Sequence, residues 1–366
     1  MKHIICFHLF NDYSGSPKVL KTVLEGLLAK GYRIDLISSA GGILDELSHP
    51  NLKRRFTYRY RFSSRPAVTM LRYAAVQIYT FFAAFRYLFD REAVFYVNTI
   101  LPAGPAAAGW LMRKKVVYHY HENAFIKGRF YRLLAGLMQR LADEIICVSA
   151  YQASFLGRKS HVTVIPNALP AEFVSRLHPN PSEAFDRKRV LMLSSLKEYK
   201  GTREFIRLAG SLPQFDFVLV VNDTQENITK YLDDNAIAAA THRHAENLTI
   251  HPRQDDVVPF YNSASVVLNL SDKERFIETF GMTALEAMSA GLPIIVPSVG
   301  GIAEMVDDGV NGYKIDAAQL EDIVRSVSTM LTDRELYMRL SADALKRSAQ
   351  YDAGSMIDNI ASCIEL

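Results

Sequence analysis

Cysteine is scarce in this chain, with three residues in 366. Cys6 and Cys147 lie in the apolar runs "HIICFHL" and "EIICVSA", where a thiol behaves as a small core residue. No disulfide framework or zinc spacing can be built from such a set, so the cytoplasm is the expected compartment. A signal peptide is not expected either, because the apolar run after Lys2 is short and reads as a first strand. The Asn-x-Thr matches at Asn222, Asn227 and Asn247 then read as chance. No Asp-x-Asp occurs, and no His/Cys cluster has ligand spacing, so no metal site is expected. Long apolar runs are missing too. In "VTMLRYAAVQIYTFFAAFRYLF", 68–89, only 13 uncharged residues separate Arg72 from Arg86. A spanning helix needs roughly 20. The stretch is expected to be a helix largely buried in its own domain, with contact at a membrane interface as the alternative.

What remains is an ordinary globular composition, 49% hydrophobic and 22% charged, which excludes disordered and collagen-like chains. Its length suits two domains better than one core. The net charge of +3 hides a split: residues 1–185 carry +12 and residues 186–366 carry −9. The basic first half points to an anionic partner. Nucleic acid is not expected, because no recognition motif for it is present.

Short apolar runs alternate with helical patterns along the chain. "HIICFHLF" is followed by "SPKVLKTVLEGLLAKG", apolar at helical spacing and closed by Gly31, and "YRIDLISS" returns as a strand. "AVFYVNT", "KVVYHYH", "EIICVSA" and "VTVIPNA" continue the series. From about 168 to 187 the pattern lapses into a Pro-rich polar stretch, and a second alternating set begins at "RVLMLSS". This predicts an α/β protein of two Rossmann-like, doubly wound domains facing across a cleft. The expected boundaries are 1–170, a linker at 171–187, 188–345, and a C-terminal helix at 346–366 that packs back on the first domain.

"ERFIETFGMTALEAMSAGLPIIVPSVGGIAEMV", 274–306, carries the chemistry, with Glu278 and Glu286 eight positions apart. A strong helix follows Gly281, so Glu278 lies in its approach loop and Glu286 within the helix. The helix start offers unpaired N–H groups and a positive dipole end, which suits phosphate. A carboxylate accepts from vicinal hydroxyls, so each glutamate can grip a sugar or ribose diol. A hydrolytic carboxyl pair needs roughly 5–9.5 Å between its members. Eight residues on one helix span about 12 Å, although the loop can shorten that. Taken alone, Glu286 reads equally as a carboxylate on a solvated helix face.

The longer stretch "ETFGMTALEAMSAGLPIIVPSVGGIAEMVDDGVNGYKI" closely resembles the C-terminal signature of retaining GT-B glycosyltransferases, in the large family 4 (glycosyl transferases group 1) whose two glutamates are separated by seven residues. "VSAYQASFL", "VIPNAL" and "SSLKEYKGTREFIRLAGSLP" resemble other parts of that family more weakly. The resemblance implies a nucleoside-diphosphate sugar, UDP- or GDP-linked, held by the second domain. Glu278 and the backbone of Phe280, Gly281, Met282 and Thr283 would hold sugar and diphosphate, and Glu286 the ribose. Lys200 would pair with the diphosphate and stabilise the leaving group. Pro252 and Arg253 would lie by the base. His121 would face the donor sugar as positive charge develops, making His121, Glu278 and Lys200 the catalytic set. The reaction would retain configuration without metal or cofactor, and the acceptor would be a polysaccharide or a lipid-linked glycan. An idle nucleotide-sugar binder and a nucleotide-sugar hydrolase or epimerase are the rival readings.

Two positions depart from the family pattern. An arginine is usual five residues before the lysine, where this chain has Ser195, with Lys197 nearby. The N-terminal phosphate loop usually carries adjacent glycines, where "NDYSGSPKVL" has only Gly15. A single glycine before a helix can still bring backbone N–H groups to phosphate or acceptor.

In the first half, "VVYHYHENAF" puts His121 and Glu122 at a strand end, where doubly wound folds place ligands, with His119 on the same face. Asn98 and Thr99 end "FYVNT" and are further cleft candidates. "RRFTYRYRFSSR", 54–65, alternates Phe56, Tyr58, Tyr60 and Phe62 with Arg59 and Arg61, which is strand periodicity. One reading is an edge strand with its arginines in water. The other turns Arg59 and Arg61 toward a pyrophosphate-linked acceptor or an anionic membrane surface.

Overall fold

The computed structural model describes residues 2–157, 161–234 and 246–366. They form two compact units, Met1–Ala168 with Ala353–Leu366, and Leu169–Asp352.

The first unit is built on seven parallel strands: β1 (His3–His8), β2 (Arg33–Ser39), β3 (Leu52–Tyr58), β4 (Ala93–Asn98), β5 (Lys115–Tyr120), β6 (Glu144–Cys147) and β7 (Val162–Val164). Their order is β3-β2-β1-β4-β5-β6-β7, so the direction of progression reverses between β1 and β4. β1 and β4 are buried on both faces, and their residues are accordingly apolar almost throughout rather than alternating. Helices α1 (Gly15–Ala29), α2 (Pro66–Ala84), α3 (Ala103–Leu111) and α4 (Arg129–Leu141) belong to this unit. The terminal helix Ala353–Glu365 packs on α1, with Ile357 seated against Gly26 and Lys30 paired to Asp358.

Two expectations about this unit are corrected. The alternating stretch is strand only as far as Tyr58, which pairs with Ser39, the last residue of β2. With no neighbouring strand beyond that point the ladder stops. Tyr60 is still buried, whereas Phe62, Arg59 and Arg61 are exposed. The helix expected to be largely buried is largely exposed. Over Pro66–Tyr87 only 22% of its apolar window is buried. Tyr73, Val76, Thr80, Ala84 and Tyr87 form the buried stripe, and Leu71, Ile78 and Phe82 on the opposite side are exposed.

The second unit carries six parallel strands: β8 (Arg189–Ser194), β9 (Asp216–Val221), β10 (Leu248–His251), β11 (Val266–Leu268), β12 (Ile294–Val296) and β13 (Gly312–Lys314). Their order is β10-β9-β8-β11-β12-β13, with the reversal between β8 and β11. The stretch 171–187 is part of this unit rather than a free linker. Asn180 caps the helix Pro181–Arg187, and that helix buries Ala184 and sets Phe185 against Tyr337, ring centroids 5.3 Å apart. The helix Arg334–Ser348 also belongs here, so the return to the first unit begins at Ala353 rather than at 346. The sequon residue Asn247 is structural, because its amide donates to the carbonyls of Ala209, Leu212 and Phe215.

Candidate active site

In open parallel sheets, ligands bind beyond the carboxyl ends of the strands where the strand order reverses. In the second unit those strands are β8 and β11. After β8 the chain runs through Ser195 and Lys197 to Lys200, then turns at Gly201 into the helix Thr202–Ser211. Gly201 has φ +76°, and a Cβ there would stand 2.3 Å from the Leu270 carbonyl oxygen, so only glycine fits. That close approach brings Lys200 beside the segment leaving β11. Its Nζ pairs with Glu278 Oε1 and lies 4.2 Å from the Phe276 ring centroid, and Phe276 in turn stacks on Tyr199 at 4.8 Å. Ser271 Oγ donates to the same Glu278 oxygen at 3.3 Å. The structure thus brings together two expected residues that are 78 positions apart.

The loop holding Glu278 is braced from below. Gly301 N–H donates to the Glu278 carbonyl at 2.8 Å. At Gly300, φ is +111° and a Cβ would meet that same carbonyl oxygen at 2.6 Å. Phe280 is buried, Gly281 precedes the helix Met282–Ser289, and Thr283 Oγ1 accepts from Asn269 at 3.4 Å. Glu286 lies four residues into that helix, and its Oε2 accepts from the hydroxyl of Tyr261 at 2.5 Å. Tyr261 is fully buried, and burial together with the Glu286 carboxylate pushes its pKa well up, so it stays a donor. The sequence reading missed Tyr261. Its only signal is a tyrosine in "VVPFYNSASVVLNL", one strand before the glutamates.

The other expected residues of this unit are placed less tellingly. Ser195 contributes its carbonyl, which accepts from Thr202 Oγ1 at 3.1 Å. Lys197 is exposed, with Nζ 5.8 Å from the Tyr199 ring centroid. Pro252 and Arg253 follow β10, and Arg253 N–H donates to the Asp223 carbonyl at 2.9 Å. Among the described residues no three His, Cys, Asp or Glu side chains are grouped to hold a metal.

In the first unit the reversal lies between β1 and β4, and a chain of hydrogen bonds crosses it. His8 Nε2 lies 2.9 Å from the Phe10 carbonyl, Asn98 Nδ2 lies 3.0 Å from His8 Nδ1, and His121 Nε2 lies 3.0 Å from Asn98 Oδ1. A backbone carbonyl can only accept, so the His8 proton sits on Nε2 and its Nδ1 accepts from the Asn98 amide. Asn98 Oδ1 must then accept, which puts the His121 proton on Nε2 and leaves Nδ1 basic. Burial keeps all three histidines here neutral. The pKa of His8 is pulled down to about 4 and that of His119 to about 3, and His121 is lowered further by those two neighbours. The rings of His119 and His121 are 4.2 Å apart, as expected for one strand face, and His119 Nδ1 is 2.7 Å from the Tyr96 hydroxyl. Sequence reading missed His8, which the register sets directly opposite Asn98.

Glu122 Oε2 accepts from Ile100 N–H at 3.0 Å, and burial raises its pKa. Thr99, at φ 69°, shapes the turn between Asn98 and Ile100. Gly15 opens α1, and a Cβ there would touch nothing within 4 Å, so no internal contact demands glycine. Arg59 and Arg61 lie beyond the end of β3 and take no part in the histidine chain.

The sequence profile of glycosyl transferases group 1 matches residues 175–347, and that of glycosyltransferase family 4 matches residues 13–173. Between them the two profiles account for nearly the whole chain. This chain belongs to the family 4 glycosyltransferases, with the GT-B fold. The glycosyltransferase is 23% identical to an uncharacterized glycosyltransferase of Haemophilus influenzae over 67% of this chain and 68% of that one. It is 29% identical to a D-inositol 3-phosphate glycosyltransferase of Paenarthrobacter aurescens over 43% of this chain. There it spans 39% of the relative's length. Among solved structures, Anabaena HepE in complex with UDP and glucose superposes with a TM-score of 0.78 at 19% identity, covering 100% of both chains. At that identity the likeness speaks for the fold alone.

Proposed function

We propose that this glycosyltransferase moves a sugar, with retention of configuration and without metal, from a nucleoside-diphosphate sugar to a polysaccharide or lipid-linked acceptor. We place it in cell-surface glycan synthesis, in the cytoplasm at the inner face of the membrane. The observation that carries the reading is the ion pair of Lys200 with Glu278 at the reversal point of the second sheet. It sets a cation and a diol acceptor at one place, on the loop that leads into the N-terminus of the helix Met282–Ser289. In this reading Lys200 neutralises the departing diphosphate, Glu278 holds sugar hydroxyls, and Glu286, fixed by Tyr261, takes the ribose. The bond from the anomeric carbon to the diphosphate oxygen breaks as the acceptor oxygen bonds to that carbon on the same face. The acceptor proton passes to the leaving diphosphate, so no separate carboxylate base is required. His121, neutral and oriented through Asn98, faces the sugar as positive charge develops.

HepE was solved with UDP and glucose, so uridine nucleotides are the first probes, with the guanosine series beside them. The test is a thermal-shift titration with nucleoside diphosphates and their sugars, beside Glu286→Ala, followed by an assay of nucleotide release with and without acceptor glycans. Stabilisation by one base series, lost in the variant, with release that depends on acceptor, is the expected result. Release without acceptor overturns transfer in favour of hydrolysis. No stabilisation by any nucleotide overturns the donor site.

A further inference from the structure

Helix α2 and the turn that continues it through Phe89 carry two apolar stripes. At about 100° per residue, Tyr73, Val76, Thr80, Ala84 and Tyr87 fall on one side. Leu71, Ala75, Ile78, Phe82, Phe85 and Phe89 fall on the side opposite and are exposed, Leu71 by 72%, Phe82 by 68% and Phe89 by 92%. An apolar stripe of six side chains along a helix and the turn that follows it is far beyond the scattered apolar residues of an ordinary protein surface. Its surroundings are basic. From residue 47 to residue 89 there are eight lysines and arginines and no aspartate or glutamate. Arg65 stands at the start of the helix, and Arg72 and Arg86 flank the exposed stripe. Arg72 reaches back to the Arg61 carbonyl at 2.9 Å, and Arg86 covers the Phe56 ring at 4.0 Å.

We infer that α2 is a membrane-docking helix that lies in the plane of an anionic bilayer, with the Leu71-to-Phe89 stripe among the acyl chains and the flanking arginines among the headgroups. This deepens the peripheral placement proposed above by naming the surface. Length and composition alone would allow the helix to span. The buried stripe forbids it. Tyr73 donates to the Leu101 carbonyl at 2.8 Å and packs with Leu9, Tyr60 and Val76, so a spanning orientation would have to tear the helix from its own core. A second copy is also disfavoured. A two-fold contact would set the same arginines against their counterparts, and the stretch supplies no acid to pair them. An anionic lipid surface answers both features at once.

The test is flotation of the full chain with vesicles of phosphatidylcholine alone and of phosphatidylcholine with phosphatidylglycerol, without donor or acceptor, so that failure here leaves the transfer reading standing. The intact chain floats with the anionic vesicles and is released by high salt or by an alkaline wash. Phe82→Ser with Phe89→Ser lowers partitioning by about tenfold or more, while the melting temperature and the nucleotide-induced shift stay unchanged. Absence of flotation with either vesicle, or flotation untouched by the double substitution, overturns the proposal. Retention through the alkaline wash overturns it in favour of a spanning helix. A dimer that the double substitution converts to monomer overturns it in favour of self-association.

Discussion

The hydroxyl of Tyr261 reaches Glu286 from inside the core of the second unit, donating at 2.5 Å to its Oε2. A glutamate on a helix has several rotamers, and a buried donor selects one before any ligand arrives. Tyr261→Phe removes that selection and little else. We expect nucleotide affinity to fall about tenfold with kcat nearly unchanged, measured by calorimetric titration beside steady-state kinetics.

In the proposed reaction Lys200 acts as a cation at the leaving group, not as a structural brace. Its side chain and that of Glu278 remain 22% and 20% exposed, so the pair contributes roughly 1 kcal/mol at most to stability. Lys200→Met is therefore expected to lower kcat/KM by about 10²–10³ while moving the melting temperature by only a few degrees. Loss of folding in place of loss of activity would count against the assignment.

Asn98 holds two imidazoles in fixed tautomers through one side chain. Asn98→Leu keeps the volume but strands His8 Nδ1 and His121 Nε2, at about 1–3 kcal/mol for each buried group. Asn98→Asp is the sharper probe, because a carboxylate between the rings favours their protonated forms. The acid limb of the pH–rate profile is expected to move to higher pH in that variant. A purely structural asparagine would leave the profile in place.

Stability follows pH through the same buried histidines. His8 is held at about 4 and His119 at about 3, against about 6.5 in the unfolded chain. Below pH 6.5 the unfolded state binds protons that the folded state refuses, so stability falls with falling pH through that window. The slope is about 1.4 kcal/mol per pH unit for each such histidine. Urea midpoints measured between pH 7 and pH 4 should show this decline, and His119→Gln should flatten it.

Gly201 tests whether local backbone sets the site. Its left-handed conformation and its approach to the Leu270 carbonyl leave no room for a methyl group. Gly201→Ala is expected to cost about 2 kcal/mol or more and to weaken nucleotide binding, since Lys200 is the adjacent residue. Both are read from a thermal-shift titration.

Much of this protein is written locally in its chain. Apolar runs of strand length separated by helical patterns determined the parallel sheets, because burial on both faces leaves only one composition for β1 or β4. Glu278 and Glu286 about Gly281, and Lys200 before its glycine, stand in contiguous stretches, so the resemblance to a family pattern could name them as candidates from sequence. Other features depend on partners remote in the chain. His8 meets Asn98 across 90 positions and Tyr261 meets Glu286 across 25, and no periodicity predicts such pairs. The stretch 171–187 looked like a linker because its polar and proline residues are many, yet Phe185 packs against Tyr337 and the Ala184 carbonyl accepts from the Ser265 hydroxyl, contacts made with residues remote in the chain. The apolar run of α2 fixed a helix but not its surroundings. Composition measures how much of a helix prefers to leave water, and only the packing of the sheet on one side decided which stripe was covered and which was left facing out.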